Sequence, residues 1–79
     1  MDSHKVALIT GASRGIGRGL VEHFLSDGYR VAGCSRGAAA AIDGDYEHTC
    51  IDIADEKAVQ GWVKGVARSH RRIDVIVNN

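Results

Sequence analysis

Two cysteines, Cys34 and Cys50, are too few for a disulfide framework, and neither stands at metal-ligand spacing from the other or from a histidine. They are expected to be small buried hydrophobes in a reducing, cytosolic compartment. Ten Lys and Arg cancel ten Asp and Glu, so no charge excess points to nucleic acid or to an anionic membrane as a partner. No apolar run approaches the roughly 18–20 residues that span a bilayer, and Met1-Asp2-Ser3-His4-Lys5 lacks the basic-then-apolar pattern of a leader. Proline is absent, and so are internal repeats, low-complexity tracts and linkers. The four histidines, His4, His23, His48 and His70, are scattered and read as structural or exposed. No metal site is expected.

What remains is an ordinary globular composition, 44% apolar and 25% charged, in a length that makes one domain of marginal stability (residues 1–79). The charges are segregated. Residues 37–56 carry only acids and residues 57–72 only bases among the strong charges, which reads as solvated surface.

Residues 5–10, Lys-Val-Ala-Leu-Ile-Thr, form a nearly continuous apolar run ending in glycine-rich chain. Such a run suits a central parallel strand covered on both faces. From Ile16 the period changes. Ile16, Leu20 and Phe24, with Val21 and Leu25 beside them, make one helical stripe that Gly28 stops. Residues 29–35 are a second strand, 37–44 a short helix of about two turns between glycines, and 46–51 a third strand. Val59, Trp62, Val63, Val66 and Ala67 fall at i, i+3, i+4, i+7 and i+8, the clearest helix in the chain, with Trp62 in its core stripe. Residues 73–77 close the series as a fourth strand. The order β-α-β-α-β-α-β implies an α/β fold with an open parallel sheet.

Between the first strand and its helix lies Thr10-Gly11-Ala12-Ser13-Arg14-Gly15-Ile16-Gly17. A strand turning at once into a helix needs backbone angles that glycine adopts cheaply. Backbone N–H groups without side chains, at a helix N-terminus carrying partial positive charge, are a place for a pyrophosphate. Ser13 has no activating base at fixed spacing, so it reads as a phosphate contact rather than a nucleophile. At the end of the second strand, an acid would accept from a ribose 2′-hydroxyl and repel a 2′-phosphate. Ser35 and Arg36 stand there instead. Arg36, with Arg14 opposite, offers donors suited to that phosphate. Asp52 is either a loop contact to a ligand or the N-cap of the following helix.

The spacing Gly-x-x-x-Gly-x-Gly resembles the signature of the short-chain dehydrogenase/reductase family, and the sub-form Thr-Gly-Ala-Ser-Arg-Gly-Ile-Gly is matched throughout. Asp52-Ile53 is similar to the family's Asp-Val pair near the adenine ring, and Asn78-Asn79 to the first half of its Asn-Asn-Ala-Gly motif. The resemblance covers the whole chain. It implies a Rossmann-type doubly wound parallel sheet, truncated after its fourth strand, with NADP(H) contacted by Gly11, Ala12, Ser13, Arg14, Gly15, Ile16, Gly17, Arg36, Asp52, Ile53 and Asn79. It also implies hydride transfer to a small carbonyl or alcohol in a full-length, homo-oligomeric parent.

Family members catalyse with a Ser and a Tyr-x-x-x-Lys pair. Here Tyr29 and Tyr46 are followed four residues on by Gly33 and Cys50, so catalytic residues are absent and these residues alone are expected to be inactive. A non-catalytic nucleotide-binding or subunit-interaction module is the alternative. A chain ending here is further expected to leave the fourth strand as an open edge and to set a carboxylate at Asn79 beside the cofactor site. Departures from the family pattern are the short helix at 37–44, Ala54 where a Ser or Thr cap is commoner, and Arg71 where a glycine is frequent.

Overall fold

A computed structural model describes residues 4–39 and 41–79. The elements are β1 (Val6–Thr10), α1 (Gly15–Ser26), β2 (Arg30–Ser35), β3 (Tyr46–Cys50), α2 (Glu56–His70) and β4 (Val75–Val77). The strands form one parallel sheet in the order β3-β2-β1-β4. The central strand β1 is buried at all five residues, as its nearly continuous apolar run requires of a strand covered on both faces.

Alternation along β1 sends successive side chains to two separate cores. Ala7 and Ile9 join Val21 of α1, Val31 and Ala12 on one face, with Leu20, Phe24 and Tyr46 packed around them. Val6 and Leu8 join Ala32 and Val66 of α2 on the other, with Trp62, Val63 and Ile73 at its margin. Burying a side chain such as Leu8 or Ile9, both fully inaccessible, is worth about 1.5–3 kcal/mol.

Several expectations are corrected by this packing. Ile16 does not start the buried stripe of α1. It is 77% exposed, because the first turn projects beyond the sheet, and the buried residues of the helix are Gly17 and Val21. In α2, Val66 is buried but Trp62 is half-exposed and Ala67 exposed, since one helix crossing the sheet presses only its central rows against it. Cys34 is buried as expected; Cys50, at the end of edge strand β3, is exposed.

No helix forms among the described residues of the 37–44 stretch. A run of alanines two turns long gains too little from hydrogen bonding to offset nucleation, and brings little apolar area to dock. The chain crosses as a loop that packs Ile42 on the α1 side of the sheet and turns through Gly44 at φ +115°.

The two helices begin differently. α2 is capped by Asp55, whose Oδ1 accepts from the Ala58 N–H at 3.1 Å, while Asp52 lies in the preceding turn and accepts from the Ala54 N–H at 3.0 Å. Asp52 is thus not the helix N-cap. At α1 the N-cap position is Arg14, with no side-chain hydrogen bond to the first turn and no acid within it.

Candidate functional site

The four strands end on the same side of the sheet, and a cleft of about 540 Å³ opens there. The loop after β1 contributes Gly11, Ser13 and Arg14, and the segment from Cys34 to Ala38 forms the wall after β2. Ile51 and Ile53 follow β3, and Asn79 follows β4. A crevice at the carboxyl ends of parallel strands is where open α/β sheets place ligands.

The glycines of the first loop have separate local causes. Gly15 has φ +62°, and a Cβ built there would meet nothing within 4 Å, so the loop keeps both its left-handed turn and an open approach to the uncapped N–H groups of α1. At Gly17 a Cβ would overlap the Gly11 carbonyl oxygen and come within 2.7 Å of Asn79 Nδ2. Bare backbone there lets α1 seat against the loop.

Hydrogen bonds fix the loop to its neighbours. The Ala12 N–H donates to the Cys34 carbonyl at 3.1 Å. Thr10 Oγ1 accepts from the Asn79 N–H at 2.9 Å and lies 3.3 Å from Asn78 Oδ1, and Asn79 Nδ2 donates to the Gly11 carbonyl at 3.3 Å. The segment after β4 is thereby tied to the glycine loop by one buried hydroxyl and one amide.

Of the residues singled out in the sequence, the cleft gathers Gly11, Ser13, Arg14, Arg36, Ile53 and Asn79. Ala12 is buried beneath the loop and Gly17 behind it. Gly15 and the exposed Ile16 stand at the mouth of the helix, outside the lining, as does Asp52. The lining holds two arginines and no Asp or Glu side chain. A second hollow of about 630 Å³, between α1 and the chain before β3, mixes Arg18 with Glu22, Asp43 and Asp45 and lies away from the strand ends.

Behind the cleft wall, His48, read from the sequence only as structural or exposed, joins residues that the sequence reading left separate. His48 Nδ1 is 2.6 Å from Tyr46 Oη, and its Nε2 is 2.9 Å from Ser35 Oγ and 3.1 Å from the Gly37 carbonyl. Ser35 Oγ in turn donates to that carbonyl at 2.6 Å. The signal was present as Tyr-x-His, which puts both rings on one face of β3, but its partners on β2 depend on a register that no short-range pattern gives. Burial pushes the Tyr46 phenol up to about 12, with Cys34 adding and Arg18 opposing. Burial likewise raises the Cys34 thiol, partly offset by a hydrogen bond with the Gly11 backbone. Both stay neutral at physiological pH. Among the described residues no group of three or more His, Cys, Asp or Glu is placed to hold a metal, and no helix is long and apolar enough to cross a membrane.

An open parallel α/β sheet, with a glycine loop leading into an uncapped helix beside a cleft at the strand ends, defines a protein of the Rossmann-type fold class. More narrowly, the chain belongs to the short chain dehydrogenase family, whose model matches residues 5–79. A curated relative, 3-oxoacyl-[acyl-carrier-protein] reductase FabG of Vibrio harveyi, is 37% identical over 95% of this chain and 33% of its own length. Among solved structures, the ligand-free aldohexose dehydrogenase of Thermoplasma acidophilum superposes with a TM-score of 0.90 at 32% identity, over 96% of this chain and 29% of that one. A metagenomic short-chain oxidoreductase in complex with NADP gives 0.86 at 34% identity, over 95% and 38%. A short chain dehydrogenase of Leptospira borgpetersenii with bound NAD+ gives 0.83 at 27%, over 95% and 30%. The chain thus spans about a third of the length of the curated relatives it matches.

Proposed function

We propose that the cleft binds NADP(H) as the cofactor site of an oxidoreductase that transfers hydride between NADP(H) and a small carbonyl or alcohol. The observation that carries the choice of cofactor is the pair of guanidinium side chains, Arg14 and Arg36, lining a cleft that has no Asp or Glu side chain. An acid at the end of β2 would accept from a ribose 2′-hydroxyl; a planar cation there favours a 2′-phosphate.

The chain's own residues do the binding and orienting. The first-turn N–H groups of α1, which no side chain caps, face the pyrophosphate across the open Gly15 position. Arg36 and Arg14 hold the 2′-phosphate, and Ile53 gives the adenine an apolar wall. Asn79, anchored on Thr10 and Gly11, closes the cleft on the side of β4. The bound nicotinamide supplies the hydride chemistry. With no Tyr-x-x-x-Lys in the sequence, these 79 residues alone bind without turning over substrate.

Calorimetric titration of the full chain with NADPH and with NADH tests the reading. A hydrogen bond to a charged group is worth roughly 1.5–3 kcal/mol, so NADPH should bind about ten- to a hundredfold more tightly, and Arg36→Ala should remove most of that margin. Equal affinity for the two nucleotides would overturn the choice of cofactor. Dehydrogenase turnover by a mass-verified preparation of these residues would overturn the assignment of inactivity.

A further inference from the structure

Period-two alternation puts Val31, Gly33 and Ser35 of β2 on the α1 face of the sheet, together with Tyr46 and His48 of β3. The parallel register pairs Val31 with Tyr46 and Gly33 with His48. At Gly33 a Cβ would overlap the Tyr46 hydroxyl and stand 2.7 Å from the Ala12 Cβ. The missing side chain therefore makes the space in which the phenol crosses β2 and reaches His48.

Counting donors fixes the direction of the hydrogen bonds. The Ser35 hydroxyl has one proton, and it goes to the Gly37 carbonyl at 2.6 Å. His48 Nε2, at 2.9 Å from Ser35 Oγ and 3.1 Å from the same carbonyl, must then be the donor. That tautomer leaves Nδ1 as an acceptor, which takes the Tyr46 O–H at 2.6 Å. Tyr46 thus orients His48, and His48 holds both ends of the tripeptide Ser35-Arg36-Gly37. Arg36 is the residue between the two anchored positions, and all three line the cleft.

We propose that His48 is a specificity-determining positioning residue: backed by Tyr46, it holds the turn that presents Arg36 to the 2′-phosphate, and so sets the preference for NADP(H) over NAD(H). The proposal rests on the cofactor reading above. His48 itself does not line the cleft. Without it the turn keeps only the Ser35–Gly37 hydrogen bond, and the Arg36 fork must be ordered at the moment of binding. The pyrophosphate contacts at α1 stay as they were.

The test is titration of the full chain and of its His48→Phe, His48→Gln and Tyr46→Phe variants with NADPH and with NADH. His48→Phe should lower the NADPH-to-NADH affinity ratio by about two- to tenfold, the equivalent of one neutral hydrogen bond, with NADH affinity held within about twofold. His48→Gln, whose amide N–H replaces the Nε2–H, should restore most of the ratio. Tyr46→Phe, which removes one hydroxyl and leaves the ring, should lower the ratio in the same sense by a smaller factor. If His48→Phe does not fold, the His48→Gln and Tyr46→Phe pair decides the matter, because an unchanged ratio in Tyr46→Phe overturns the proposal. An unchanged ratio in His48→Phe, or equal loss of both nucleotides, also overturns it while leaving the cofactor reading intact. If the unaltered chain prefers neither nucleotide, the cofactor reading fails first and the role of His48 falls with it.

Discussion

The N–H of Val6, the first residue of β1, donates to Oδ2 of Asp74 at 2.8 Å, across 68 positions of sequence. The same carboxylate takes two hydrogen bonds from Arg72, Nε at 2.8 Å and Nη2 at 2.7 Å. A single acid thus joins the start of the central strand to the approach to β4, and the Asp74 N–H returns a bond to the Val6 carbonyl at 2.9 Å.

Arg72 first, and then the Val6 N–H, hold the Asp74 carboxyl below its ordinary value of 3.8. A depressed folded-state pKa contributes stability that is present above the unfolded value and lost as pH falls through the folded one. Asp74→Asn should therefore lower the denaturation midpoint at pH 7 and flatten its decline below pH 3.8. Urea titrations of both proteins across that range measure it. Parallel curves would show that the ionised carboxylate contributes nothing.

Gly17→Ala should be costly for a reason unrelated to helix propensity, which favours alanine. The new methyl would overlap the Gly11 carbonyl oxygen, a backbone atom that cannot rotate aside. Overpacking of this kind costs about 1–3 kcal/mol, and the displaced loop should lose nucleotide affinity as well. Chemical denaturation and titration with NADPH check the two effects separately. Gly19→Ala, where a Cβ would meet nothing within 4 Å, is the control and should be neutral or mildly stabilising.

Arg71 caps the carboxyl end of α2 at φ 63° and ψ 13°, the one non-glycine residue with positive φ among those described. Glycine takes this conformation without the Cβ strain. Arg71→Gly should raise stability by about 0.5 kcal/mol, the relief being reduced by loss of a cation at the negative end of the helix. Arg71→Ala keeps the strain and should show no gain. A thermal scan of the two variants beside the parent distinguishes them.

Much of this architecture was legible because it rests on local period. The nearly continuous apolar run of β1, the i, i+3, i+4, i+7 spacing of α2 and the glycine loop between β1 and α1 each encode their element in adjacent residues. Ile16 misled because the stripe of α1 continues past the edge of the sheet, and a period does not report where its partner surface stops. Residues 37–44 misled because alanine favours helix intrinsically but brings no apolar face to dock. Asp52 misled as a candidate cap because residue type does not report the backbone path, which brings Asp55 to the N-cap position instead. The Tyr46–His48–Ser35 chain was hidden because it joins two strands, and the register that aligns them comes from the cores on either side.

The uneven burial of the two thiols gives the molecule a chemically addressable point. Cys34 lies sealed in the sheet, with its thiol held protonated by burial, whereas Cys50 is open to solvent one position before Ile51 on the cleft wall. An alkylating fluorophore at neutral pH therefore labels one position in the folded chain. The dye then sits at the rim of the cleft, where its emission reports occupancy, and the emergence of a second reactive thiol marks the opening of the sheet.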